Sequence, residues 1–487
     1  MYVSYIFCMS PQLLLIGAMV GRVTIDMLPN AALLEIFDCY VNHAQEGEIQ
    51  PWHTLVHVCR KWRTIVLGSP RRLDLRLFCK DTTPVKETLA VWPPLPIVIG
   101  QDDPLYMGMD NIVVALEHND RVCDIRLWQV TNLELEEVLA AMQQPFPALT
   151  HLEMVSDPHF KSEDELLETP VVPESFLGGS APRLQDLRLE RVPFPGLPKL
   201  LLSTTNLVRL IFWEIPHSGY FSPEAIVGCL STSTRLEELA LDFKSPLSLP
   251  VRRPHPPTRS TLPALTSFWF KGVSEYLEDL VARIDAPLLH RFGIRFFHQL
   301  IFDTPQLAQF LARTPNIQSP VEARIVFSYR YVEVTFPQIV PGDFLLGIGC
   351  CGQLDWQLSS LAQVCNSSLP EAFISMVQHL YIYERRYSEP CWQDDIEDCQ
   401  WLEVLHPFTA VKYLYLSREF TSRIAPALQE LAGEVLPSLQ NLLLEDLHPS
   451  GPVPEPIEKF IAARQLAGHP IAVSHWDRKQ EEWEVND

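Results

Sequence analysis

The stretch that decides the fold is Leu236-Glu237-Glu238-Leu239-Ala240-Leu241, in which apolar residues stand first, fourth and sixth. Alternation of apolar and other residues is typical of a β-strand with one buried face. The same spacing recurs along the chain, and neighbouring occurrences are mostly 23 to 35 residues apart, which indicates a repeat architecture. The ten occurrences begin at Val122, Leu149, Leu184, Leu207, Leu236, Leu265, Leu289, Val377, Val411 and Leu439.

Each unit predicts a short strand followed by a returning segment, often a helix, and stacking such units would bury one continuous core. A Pro precedes many of the strands and ends the element before them, as Pro182 and Pro263 do. Helices are predicted at residues 134–142, 223–230, 276–284 and 306–313. The pattern resembles a degenerate leucine-rich repeat. The alternative is a set of independent βα units in an open sheet.

Residues 318–376 do not follow the pattern cleanly, which predicts diverged repeats or an insertion. Three strands are still expected there, at residues 321–329, 331–336 and 344–348. Within this region Gly347-Ile348-Gly349-Cys350-Cys351-Gly352 matches the dinucleotide-binding spacing G-x-G-x-x-G. Its position deep in a repeat array, without a clean strand and acidic residue after it, argues against that function.

A second pattern lies near the N-terminus. It reads Leu28-Pro29-(x3)-Leu33-Leu34-x-Ile36-Phe37 and, after a polar gap, Trp52-(x2)-Leu55-(x2)-Val58-Cys59-Arg60-Lys61-Trp62. Pro suits the first turn of a helix, and the apolar residues after it recur on one face. The second half predicts one helix from Trp52 to Val66. Because neither short helix can bury its apolar stripe alone, the two must close on each other or on a partner.

This pattern resembles an F-box over residues 26–70, although residues 41–51 form a longer link than F-boxes usually have. The resemblance implies docking on a Skp-type adaptor and through it on a cullin scaffold of a ubiquitin ligase, while the rest of the chain holds a protein substrate. The adaptor-binding residues that it implies are Leu28, Pro29, Leu33, Leu34, Ile36, Phe37, Val58, Cys59 and Trp62. The alternative is a helical hairpin that merely caps or fills a larger domain.

The charge of the chain bears on its partners. The formal net charge is −22, and residues 81–487 alone carry −24. Such a chain would repel nucleic acid and anionic membrane, so neither is expected as a partner. We expect a protein substrate with a basic face, contacted through loops at residues 157–180 and 245–260. The acidic run at residues 394–398 is expected to be a solvated turn.

Eleven cysteines without a C-x-x-C pair favour a reducing compartment, and a cytoplasmic or nuclear location is expected. Residues 2–21 are apolar and uncharged, which leaves three alternatives: a signal peptide, a membrane anchor, or a start of translation assigned too far upstream. No Lys or Arg precedes this run and Pro11 interrupts it, which argues against a signal peptide or a membrane anchor.

The sequence therefore predicts an α/β protein: a small all-α F-box unit at residues 26–70 after an apolar segment at 1–25, then a leucine-rich-repeat-like α/β solenoid at 71–480 and an acidic tail at 481–487. No catalytic, metal-ligating or cofactor-binding set is expected. His53 and His57 have zincin-like spacing, but Thr54 occupies the place of the required Glu.

Overall fold

The computed structural model describes residues 25–43, 51–80, 84–100, 109–157, 169–246, 259–299, 301–317, 320–337, 343–349, 354–386, 388–390, 398–430, 435–445, 453 and 455–478. The chain divides into two compact units. The first comprises Met1–Leu77 and Leu89–Pro96, and the second comprises Phe78–Thr88 and Ile97–Asp487. The apolar segment at 1–24 and most of the predicted recognition loops, at 158–168 and 247–258, lie outside the described residues.

The first unit is helical, with a 3-10 turn at Ile25–Met27 followed by α1 (Asn30–His43), α2 (Pro51–Val58) and α3 (Arg60–Leu67). The prediction of one helix from Trp52 to Val66 is wrong, because the chain is extended at Cys59 (φ −159°, ψ 170°). The Cys59 Sγ accepts a hydrogen bond from the Trp62 backbone N–H at 3.5 Å and thereby caps α3.

A single core holds this unit together. Its buried residues come from all three helices and from the segments after them: Leu33, Phe37, Trp52, Leu55, Val56, Ile65, Val66, Leu73, Leu75, Leu77 and Leu95. The apolar stripe predicted over α2 and α3 thus stays on one side despite the break. Burying a Leu or Phe side chain stabilises by about 1.5–3 kcal/mol, so short helices depend on this core for their stability.

The rest of the chain alternates strands and helices. The strands are β1 (Leu77–Lys80), β2 (Ile97–Gly100), β3 (Val122–Val130), β4 (His151–Ser156), β5 (Asp186–Glu190), β6 (Arg209–Ile215), β7 (Glu238–Phe243), β8 (Ser260–Thr261), β9 (Ser267–Gly272), β10 (Ile284–Asp285), β11 (Arg291–Phe296), β12 (Glu322–Phe327), β13 (Tyr331–Pro337), β14 (Asp343–Gly349), β15 (His379–Glu384), β16 (Tyr413–Leu416), β17 (Asn441–Glu445) and β18 (Ala472–Trp476). The helices are α4 (Val85–Val91), α5 (Met109–Leu116), α6 (Asn132–Ala141), α7 (Leu197–Leu201), α8 (Pro223–Leu230), α9 (Ser274–Ala282), α10 (Pro305–Arg313), α11 (Leu354–Ser367), α12 (Glu371–Ile374), α13 (Asp398–Leu405), α14 (Arg418–Glu430) and α15 (Glu455–Leu466). The four predicted helices are α6, α8, α9 and α10.

The strands join in one long, mainly parallel sheet, whose order among the described residues is β1-β2-β3-β4-β5-β6-β7-β9-β11-β14-β13-β12-β15-β16-β17-β18. The repeat pattern predicts its register. Leu239 pairs with Leu210 on one side and with Phe268 on the other, and all three are central residues of the repeat. Beyond the irregular region, Leu414 likewise pairs with Leu380 and Leu442. The repeat is therefore confirmed as a structural unit.

The helices decide between a solenoid-like array and an open sheet. Consecutive helices contact one another, α7 with α8, α8 with α9 and α9 with α10, and later α13 with α14 and α14 with α15. In an open, doubly wound sheet they would divide between two faces. The strands also alternate, since in β4 and β5 every second residue is buried and those between are partly exposed. We call the face that carries these partly exposed residues the outward face.

One antiparallel strand, β13, interrupts the parallel order. β14 pairs with β11 and β12 pairs with β15, both in parallel, while β13 lies antiparallel between β12 and β14. The three strands expected within residues 318–376 are confirmed, and they stand in the sheet in reverse chain order. Two of them keep the repeat register, because Phe344 pairs with Phe292 and Ala323 pairs with Leu380.

Small polar contacts link successive repeats. The side-chain N–H groups of Asn119, Asn206 and Asn316 donate to the backbone oxygens of Pro145, Pro182 and Pro287, at 2.7, 3.0 and 3.2 Å respectively. Each of these prolines lies in the turn just before a strand of the repeat. The Asn of one repeat thereby satisfies a carbonyl group in a neighbouring repeat, which adds to the stacking between units.

Candidate functional site

In the first unit, α1 has two apolar faces. Leu33 and Phe37, one helical turn apart, are fully buried in the core. Ile36 and Tyr40, also one turn apart, are each 45% exposed. Two large apolar residues at this spacing lie on one side of the helix, so they form a small exposed apolar patch.

The nine residues implied by the F-box resemblance differ in exposure. Leu33 and Phe37 are buried, Leu28, Leu34, Cys59 and Trp62 are half-buried, and Pro29, Ile36 and Val58 are exposed. Buried residues can serve a partner only by holding the helices in place. The residues that can contact a partner directly are therefore mainly the three exposed ones. Met27, which is 70% exposed, and Tyr40 can do so as well, although neither belongs to the nine. The spacing of Tyr40 from Ile36 is the signal that could have added it.

The half-buried members lie between the core and the surface. The Trp62 ring packs 4.7 Å from the Phe37 ring, and its Nε1, although buried, has no hydrogen-bond partner among the described residues. Lys61 on α3 donates from Nζ to the Leu28 carbonyl oxygen at 3.2 Å, which ties α3 to the start of α1. These contacts bring several of the nine residues together around the start of α1 and the start of α3.

The two histidines of α2 belong to a ring cluster. His53 stacks on Trp92 at 4.8 Å with an interplanar angle of 9°. Burial lowers the pKa of the His53 imidazole, and the neighbouring His57 lowers this pKa further. The part of the chain that the structure describes contains no group of three His, Cys, Asp or Glu residues that could hold a metal ion.

The outward face of β4 to β6 carries a lattice of ion pairs. The Arg188 guanidinium of β5 lies 3.3 Å from Glu153 on the neighbouring strand β4 and 3.6 Å from Glu190 on its own strand. Asp186 pairs with His151 at 2.9 Å and also with Arg209. Such partly exposed cross-strand pairs contribute at most about 1 kcal/mol each. They neutralise one another, so this part of the face offers alternating charges rather than one sign.

The outward face of β15 to β18 carries stacked rings. Tyr381 and Tyr415 stack at 3.9 Å, and His379 and Tyr413 stack at 4.5 Å. The Trp476 ring on β18 lies 5.7 Å from Tyr415. Burial is the largest of the influences on the His379 imidazole, and it lowers the pKa of that group. Because the rings cover one another, the stack chiefly joins the last strands of the sheet.

Glycines shape the middle of the outward face. A Cβ at Gly293 would lie 2.2 Å from the Trp269 ring, so the indole can lie across β11 only because residue 293 is Gly. Gly347 of β14 lies beside Arg295 of β11, and a Cβ there would be in ordinary contact with the Arg295 side chain, 3.6 Å from its Nε. The Arg295 guanidinium reaches the Tyr331 ring on β13, with its carbon 4.7 Å from the ring centre.

The first glycine of the G-x-G spacing does not lie where a phosphate-binding glycine would. Gly347 lies inside β14 and pairs with Arg295 on one side and Glu333 on the other, whereas a phosphate-binding glycine would lie in the turn after the strand. The second half of the motif, residues 350–352, lies outside the described residues. Among the described helices, none is long and apolar enough to cross a membrane.

Comparisons with known proteins give little further guidance. No protein-family model matches the chain. No curated protein matches it either. Among the solved structures that match is the leucine-rich repeat-containing protein LegL7 from Legionella pneumophila, at 15% identity and a TM-score of 0.26, over 82% of this chain and 98% of that one. At these values the likeness carries no argument, and the description of the fold rests on the strands and helices themselves.

Proposed function

We propose that the chain is a non-catalytic substrate-recognition subunit of a cullin-type ubiquitin ligase. The helical unit docks on a Skp-type adaptor and the repeat array binds a protein substrate. The observation that carries the proposal is the exposed apolar face of α1, with Ile36 and Tyr40 each 45% exposed, in the segment whose sequence resembles an F-box. The repeat array supports the second half, because such arrays present extended surfaces to protein partners.

The core residues and the exposed residues of the helical unit have different roles in such docking. Leu33 and Phe37 hold α1 on the core, and the Cys59 cap sets where α3 begins. Ile36 and Val58, which are 45% and 55% exposed, can then be buried against a partner. Removing each of these side chains from water would contribute up to about 1.5 kcal/mol, because half of each is already buried.

Co-expression with a Skp-type adaptor tests the proposal. We expect the full chain to capture the adaptor, and Ile36→Asp combined with Val58→Asp to reduce the captured amount by about tenfold or more, because both charges would have to be desolvated at the interface. Ala31→Asp is the matched control, since Ala31 is also exposed on α1 but stands on another face. Circular dichroism of each variant shows whether the fold is kept.

Equal capture by the double variant and by the control would contradict docking through this face. Failure of the unaltered chain to capture any adaptor would contradict the ubiquitin-ligase assignment itself. The second candidate is then a repeat scaffold that binds a partner without ubiquitin machinery. The outward face with its paired charges and stacked rings favours that alternative as much as the first, because it serves partner binding in both.

A further inference from the structure

In the middle of the outward face, arginine side chains lie around an aromatic ring, in contrast to the ion pairs on β4 to β6. Tyr331 on β13 lies between two guanidinium groups: the carbon of the Arg295 guanidinium is 4.7 Å from its ring centre, and that of Arg385, just after β15, is 5.8 Å away. We call these three residues the arginine–tyrosine patch. Arg330, next to Tyr331 in the chain, adds a further exposed guanidinium in the turn between β12 and β13.

The patch has fewer carboxylates than arginines. Glu333 lies 3.8 Å from Arg295 and is its acidic partner. Burial raises the pKa of the Glu333 carboxyl, and Arg295 opposes this only in part. Within the described residues, neither Arg330 nor Arg385 has a carboxylate within ion-pair distance; Glu384, adjacent to Arg385, pairs with Arg478 instead. Guanidiniums held close together repel one another unless an anion lies between them.

The backbone keeps this place open. The outward-facing positions of β14 beside Arg295 and Tyr331 are Gly347 and Gly349, so no side chain from that strand covers the two residues. The Arg295 Nε is buried without a hydrogen-bond partner among the residues described, and the Arg295 side chain as a whole is still 30% exposed. The patch thus combines fixed cations, an aromatic ring and an uncovered strand.

We propose that the arginine–tyrosine patch binds an acidic peptide segment of a protein partner, with side-chain carboxylates pairing with Arg295 and Arg385 on either side of the Tyr331 ring. Guanidinium groups suit this role because their planar fork matches a carboxylate. The net charge of −22 opposes the approach of an acidic partner at long range, but it is screened over about 8 Å at physiological salt, so the local charges decide the contact. The inference deepens the proposed function by naming a substrate class, and it also stands for a scaffold without an adaptor.

Fluorescence anisotropy with the full chain and three labelled peptides tests the proposal. The peptides are GSGEEEEGSG and its relatives with Gln or Lys in place of Glu. We expect the Glu peptide to bind more tightly than the Gln peptide, and Arg295→Gln combined with Arg385→Gln to weaken its binding by about tenfold, as two partly exposed ion pairs would. Arg183→Gln combined with Arg235→Gln removes the same charge elsewhere on the repeat array and should change binding by less than about twofold.

A third variant separates an organised patch from diffuse charge. Tyr331→Leu leaves every charge in place and removes the ring that holds the two guanidiniums, so it should weaken the Glu peptide by several-fold while thermal melting stays close to that of the unaltered chain. Equal binding of the Glu and Gln peptides, or tightest binding of the Lys peptide, would overturn the proposal. So would equal effects of the two arginine double variants. Adaptor capture by the variant that combines Arg295→Gln and Arg385→Gln is measured separately. It shows whether the proposed function holds even if the patch does not bind the Glu peptide.

Discussion

At the scale of single residues, glycine positions show how the outward face is built. Gly293 has an ordinary strand conformation, so its role is to leave space and not to permit an unusual backbone. The space at Gly293 is filled by the Trp269 ring, whereas a Cβ at Gly347 would meet Arg295 only at an ordinary contact distance of 3.6 Å. The absence of a Cβ at residue 293 thus allows the Trp269 side chain to lie across β11.

Gly293→Ala tests this explanation. The new Cβ would lie 2.2 Å from the Trp269 ring, so the indole must move, and we expect a loss of about 1–3 kcal/mol in the free energy of unfolding. Tryptophan fluorescence should change as well. Gly228→Ala is the matched control, because nothing lies within 4 Å of its new Cβ in α8. That change should stabilise the chain by about 0.5–1 kcal/mol through helix propensity. Equal effects of the two substitutions in urea denaturation would refute the explanation.

At the scale of elements, the sequence predicts what depends on local spacing. Ten occurrences of one apolar pattern were enough to place ten of the strands and to align their central residues, because neighbouring units must match apolar faces. The reversed order of β12, β13 and β14 was not predictable, since it depends on which strands pair across long distances. Pro320 and Ala323 also stand where the pattern asks for large apolar residues, which hid that repeat.

The break between α2 and α3 shows the same limit in the helical unit. The apolar stripe over residues 52–66 is continuous, but a stripe reports only the buried side and not the backbone at each residue. Cys59 is an uncommon capping residue, so no capping signal appeared in the sequence. The sequence likewise did not show which apolar residues of α1 face the core, and only the structure shows that Leu33 and Phe37 are buried while Ile36 and Tyr40 stay exposed.

Substitutions at Cys59 test whether its cap matters. Cys59→Ala removes the acceptor for the Trp62 N–H and should lower the stability of the helical unit by about 1 kcal/mol, whereas Cys59→Ser supplies a stronger acceptor and should keep or raise it. Hydrogen exchange of the α3 amides in the full chain measures the difference. If the Ser variant exchanges as fast as the Ala variant, capping by residue 59 contributes nothing, and packing alone fixes the start of α3.

At the scale of the whole molecule, charge and architecture act over different distances. The acidity of residues 81–487 favours basic partners at long range, and the expectation of a substrate with a basic face stays a prediction. The arginine–tyrosine patch is a local exception of opposite sign. Because units of a repeat array contact mainly their neighbours, such local surfaces can differ along the sheet without disturbing one another.

Hydrogen exchange of the full chain, with and without a Skp-type adaptor, is the measurement that decides whether the helical unit docks through the exposed face of α1 as proposed. We predict slower exchange in peptides that cover residues 25–43 and 51–67, and unchanged exchange in β3 to β18. Protection confined to the strands, or no protection anywhere at saturating adaptor, would contradict the claim.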